Sequence, residues 1–88
     1  MTTSIGTLLI SNGGTKPLEV HLEPWPELHT LQPTQRIDVC VERATDALGP
    51  FFEIKFSEGE VVVYPAGSMN YFVDIFAMRD GERLESEI

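Results

Sequence analysis

Two histidines and the carboxylates near them in sequence are the first candidates for a reactive or ligand-binding group. In Glu19-Val20-His21-Leu22-Glu23 an extended backbone puts His21 and Glu23 on one face, about 7 Å apart at Cα. An imidazole and a carboxylate at that spacing can share one metal ion. Glu27 and His29 follow beyond Pro24-Trp25-Pro26, and a chain that doubles back there returns them as further ligands, a His-x-Glu-x5-His set. That set is no recognised zinc spacing, and outward polar residues are ordinary on a solvated sheet face, so no metal and no cofactor is assigned. Trp25 is the only indole, clamped between two prolines that fix their own φ and stiffen the segment. It reads first as a corner plug, with its ring against the core and its N–H at a wet rim. The alternative is a ligand-binding rim over Glu19 to His29, in which Trp25 stacks on a ligand and His21, Glu23 and His29 hold it.

The nucleophiles are poorly placed. Ser68 in Ala-Gly-Ser-Met-Asn lacks the second glycine of a nucleophile elbow. Cys40 stands between Asp38 and Glu42, a setting that does not activate a thiol. Both histidines precede Cys40, which is the wrong order for a blue-copper site. Asp74, between Phe72 and Phe76, needs a partner if buried, and Arg79, Arg83 or a tyrosine hydroxyl can supply it. The expectation is a protein that binds rather than catalyses.

These side chains are carried on strands. Apolar residues recur with period 2, and no segment sustains a period of 3.6. Ile5 to Ile10 opens the series, and Asn12-Gly13 after it is a strong hairpin signal. Lys16 to Glu23 alternates Leu18, Val20 and Leu22 against Glu19, His21 and Glu23. After the Pro-Trp-Pro corner come Leu28 to Leu31 and then Arg36 to Arg43, with Ile37, Val39 and Val41 inward and Cys40 outward. Phe52, Ile54 and Phe56 give another strand its buried face, Val61 to Tyr64 is another, and Asn70 to Arg79 the last long one. An Asp-Gly turn then leaves a frayed or edge-pairing tail. Turn signals every 8–12 residues predict an antiparallel β-sandwich of about seven strands in a single domain, residues 1–88.

Composition narrows the partners. The formal net charge is −8 and the six Lys and Arg residues are scattered, so neither nucleic acid nor an anionic membrane is an expected partner. No apolar run reaches the length of a membrane span, and the first fourteen residues do not read as a signal peptide. One cysteine excludes an intramolecular disulfide, so the expected location is cytoplasmic. The C-terminal half carries apolar residues on both predicted sheet faces: Val62 and Tyr64 on one strand, Phe72, Phe76 and Met78 on another. A chain of this size has too little mass to cover a second apolar face, so these five residues are the predicted interface for a homo-oligomer or a protein partner.

The stretches ISNGGTKPLEVHLEPW and LQPTQRIDVCVE resemble immunoglobulin-like sandwich domains, whose strands carry Asn-Gly, Pro-Leu-x-Val-x-Leu and then Leu-x-Pro-Gly before a Val-x-Val strand. They are also similar to small bacterial all-β proteins with a Leu-Glu-Pro-Trp corner. The resemblance covers roughly residues 7–43 and departs from the pattern at Thr34, where those domains usually have glycine. It implies an immunoglobulin-like architecture and no particular activity.

Overall fold

The computed structural model describes residues 2–88, which form eight strands. These are β1 (Thr3–Ser11), β2 (Leu18–Leu22), β3 (Glu27–Leu31), β4 (Arg36–Ala44), β5 (Phe52–Ser57), β6 (Glu60–Pro65), β7 (Phe72–Arg79) and β8 (Glu82–Arg83). They make two four-stranded sheets, sheet A in the order β1-β4-β7-β8 and sheet B in the order β3-β2-β6-β5. Among the described residues no helix is long and apolar enough to cross a membrane.

The core lies between the sheets. Ile37, Val39 and Val41 of β4 with Ile75 and Ala77 of β7 face Val20 and Leu22 of β2, Leu31 of β3 and Val61 and Val63 of β6. All ten are buried, and strict alternation along each strand is what gathers them on the inner faces. At roughly 1.5–3 kcal/mol for each large aliphatic side chain removed from water, this layer is the main favourable term in folding.

Two expectations need correction. The strands number eight rather than about seven, because the Asp80-Gly81 turn adds β8. Both turn residues have positive φ, 53° and 80°, as a two-residue type I′ hairpin requires. The sandwich is also not wholly antiparallel, since β2 and β6 pair in parallel, Glu19 opposite Glu60 and Leu22 opposite Val63. Parallel neighbours need a long crossover, and here the chain between them passes through β3, β4 of the other sheet, and β5.

The Asn-Gly hairpin is absent for a related reason. β1 pairs with β4, whereas β2 pairs with β3 and β6, so Ser11 to Gly14 carries the chain from one sheet to the other. Neither Asn12 nor Gly13 has positive φ. Asn12 is instead buried, with its amide donating to the carbonyls of Lys16 and Leu31 and its Oδ1 accepting from the Gly14 N–H. A side chain that satisfies three backbone groups is worth more to the molecule there than in a turn.

Candidate functional site

The sheet pairing separates the predicted histidine rim. His21 lies on the outer face of sheet B, opposite Leu28 and Val62 in the two neighbouring strands. His29 sits directly opposite Val20, so its ring is on the inner face, 3% exposed, with Nε2 3.1 Å from Oε1 of Glu27. His21, Glu23 and His29 therefore do not converge, because β3 returns beside β2 in a register that turns its histidine to the core. The residue that does reach His21 is Glu60, which sequence separation hides and the parallel pairing supplies. His21 Nε2 is 3.4 Å from Glu19 and 3.9 Å from Glu60, and ligand atoms of the three lie within 4.8 Å of one another. Two carboxylates directly opposite each other repel, and a protonated imidazole or a cation between them offsets that.

Trp25 lies over the corner between the sheets, 42% exposed rather than a buried plug. Its ring lies against Phe72 at 5.5 Å between centroids, and its indole N–H donates to Asp74 at 2.9 Å. Asp74 also accepts from Arg83 at 3.2 Å, one of the partners expected for it. A single carboxylate thus ties the β2–β3 corner of sheet B to the β7–β8 hairpin of sheet A.

The five predicted interface residues do not share a face. Val62 and Tyr64 lie on the outer side of sheet B, where Lys55 covers the tyrosine ring. Phe76 and Met78 lie on the outer side of sheet A, opposite Cys40 and Asp38. Phe72 is on neither, because a bulge in the β4–β7 pairing at Glu42/Arg43 turns it inward against the core and Trp25.

The outer face of sheet A is the more apolar of the two. Ile5 and Leu9 of β1 are more than half exposed, and across β4 Phe76 and Met78 are half-buried, with the Arg83 guanidinium 4.7 Å over the Phe76 ring. These neighbours bury Cys40 between Thr7 and Phe76, although the thiol is on the outward side of its strand.

The four sheet edges complete the geometry. The tail after β8 lies along β3: Glu87 N–H donates to the Leu28 carbonyl, and the Thr30 N–H and hydroxyl both donate to the Glu87 carboxylate. β8 is two residues long and both are charged, and where β7 runs on beyond it Asp74 sits on that edge, bound by Trp25 and Arg83. On β5 Phe56, expected on the buried face, is 77% exposed because it lies at the open end of this edge strand. The strand carries Glu53 and Lys55 within six residues. These are the usual guards against edge-to-edge pairing. β1 has none of them: nine residues, no charge and no proline, in a chain that carries fourteen acids and six bases. Asn12 donates to Gln35 and Thr45 to Thr2, so the even-numbered residues of β1 bond to β4. By antiparallel alternation Thr3, Ile5, Thr7, Leu9 and Ser11 aim their N–H and C=O groups at the open edge.

A cavity of about 290 Å³ opens beside Val41, Arg43, Leu48, Pro65 and Tyr71. Arg43 is buried, donates to the carbonyls of Gly49 and Pro50, and stacks at 3.6 Å on Phe51. The alternation that turns Val39 and Val41 inward places Arg43 inward too. The guanidinium holds the β4–β5 connection across the end of the core.

A scan against protein-family models finds no match to the chain, and neither curated proteins nor solved structures match it.

Proposed function

We propose that this chain is a non-catalytic protein-interaction module that accepts a β-strand from a protein partner at β1. The observation that carries the reading is the contrast among the edges: three are guarded and the longest one is open. An added strand gains main-chain hydrogen bonds from the free groups of β1 and places its own side chains next to Ile5 and Leu9. Phe76 and Met78 share the outer face of sheet A but lie two strands from β1, beyond the reach of an added strand, and Val62 and Tyr64 lie on the other sheet. A cytoplasmic setting accords with a single free thiol. An immunoglobulin-like assignment draws its support from the two packed four-stranded sheets, not from strand order.

The test is site-specific photo-cross-linking in the native host, with a photoreactive residue at Leu9 or, as control, at Lys55. A discrete protein adduct at position 9 and none at 55 is the expected result. No adduct at position 9 sinks the reading.

A second reading is a divalent-cation site on sheet B, favoured by the convergence of Glu19, His21 and Glu60. Its test is the visible spectrum of added Co²⁺. A tetrahedral band that disappears in His21→Ala supports it, and no band rejects it. Trp25 takes no part, since its N–H is committed to Asp74.

A further inference from the structure

We infer that the strand accepted at β1 is the β1 of a second copy of this chain, paired antiparallel across a two-fold axis at Thr7. The inference rests on the reading of β1 as a docking edge and names its occupant.

Three observations select a second copy. The first is the pattern of the outward residues, Thr3-Ile5-Thr7-Leu9-Ser11, which is palindromic in type: hydroxyl, apolar, hydroxyl, apolar, hydroxyl. Across a two-fold at Thr7, Ile5 meets Leu9 of the second copy, Thr7 meets Thr7, and Thr3 meets Ser11. An isologous interface requires this self-complementarity, and an unrelated partner does not.

The second observation is hydrogen-bond parity. The five odd-numbered residues carry the unpaired N–H and C=O groups, and the Thr7-centred register sets odd opposite odd over the full strand. That makes about ten new main-chain bonds with no residue of β1 left over.

The third is charge. Two chains of net charge −8 repel, and β1 is the one long strand that brings no charge of its own to the contact. The nearest acids on this face, Glu42 opposite Ile5 and Asp38 opposite Leu9, would stand three strand spacings from those of the second copy, about 14 Å. That exceeds the screening length of about 8 Å at physiological salt.

Sedimentation of the full chain from about 1 μM to about 1 mM reads the assembly. Wild type should shift from monomer to dimer within this range. Thr7→Pro should raise the dissociation constant at least about tenfold, because it removes the two central donors. The Thr7 N–H faces the open edge, so proline there leaves the β4 ladder intact, and edge strands tolerate it.

Should Thr7→Pro melt early, cross-linking decides instead. Thr7 lies opposite Cys40, so the cysteine variants are made with Cys40→Ala. Thr7→Cys should link two chains on oxidation or with a short bismaleimide, since hydrogen-bonded partners stand about 5.5 Å apart at Cα. Thr3→Cys should not, because the two Thr3 residues would be about 27 Å apart.

A chain that stays monomeric throughout, while position 9 still captures a different protein, overturns the second copy and spares the docking edge. No adduct at position 9 and no dimer overturn both. A dimer indifferent to Thr7→Pro, or one that Thr3→Cys links, overturns the register.

Discussion

At the level of single residues, the molecule is most demanding where a backbone passes close beneath an aromatic ring. Gly6 of β1 lies under Phe51, and a Cβ at that position would meet the ring at 2.5–2.9 Å. The ring cannot retreat freely, because the Arg43 guanidinium stacks on it at 3.6 Å. Gly6→Ala should therefore destabilise the fold by about 1–2 kcal/mol, the overpacking cost less the small gain from replacing glycine in a strand. Urea unfolding with an unchanged m-value measures it, and the loss should shrink in a Phe51→Leu background. A stability equal to wild type would show that the ring is not held. None of this was legible beforehand, since nothing in IGT or GPFF announces that residues 45 positions apart stack. The inward placement of Arg43 was legible from parity alone. His21 and His29 read from sequence as one rim with Glu23, but which face each takes depends on how β3 returns beside β2. That register is a tertiary fact.

For whole elements, the strand positions followed from period 2 and turn residues, and the pairing did not. Asn-Gly after β1 and Asp-Gly after β7 carry the same local signal, yet only the second makes a hairpin. The first gives its asparagine to three backbone groups instead. Local propensity is a weak constraint wherever a side chain has better tertiary partners. The tail after β8 was expected to fray or pair with an edge. It pairs with β3 through Glu87, whose carboxyl is held below the usual carboxylate range, first by the Thr30 backbone N–H, then by the Thr30 hydroxyl, with a smaller contribution from His29. A carboxylate with a depressed folded pKa contributes stability above its unfolded pKa, and the contribution is lost as the pH falls through the folded value. Glu87→Gln should thus be less stable than wild type at neutral pH, and the gap should close as the pH drops below the ordinary carboxylate range. Thermal melts from neutral pH down to about pH 3 test this. A gap independent of pH would place the effect in something other than the charged clamp.

Across the whole molecule, one arrangement of charge and hydrogen bonding decides what it can do. The acids are spread over the outer faces and three edges are guarded, leaving β1 as the uncharged strip along which another chain can add. The apolar excess in the C-terminal half, read from sequence as one face, is divided by the sandwich. Phe72 fills the corner, Val62 and Tyr64 stay on sheet B, and Phe76 and Met78 join Ile5 and Leu9. The most direct measurement of the account is residue-resolved amide hydrogen exchange along β1, in dilute and in concentrated protein. The even-numbered amides bond to β4 and should be protected in both. Those of Ile5, Thr7 and Leu9 should exchange fast when dilute and become protected together on concentration, the pattern of a strand pairing with its own copy. Odd-numbered amides that stay fast at every concentration, in a chain otherwise fully protected, would contradict it.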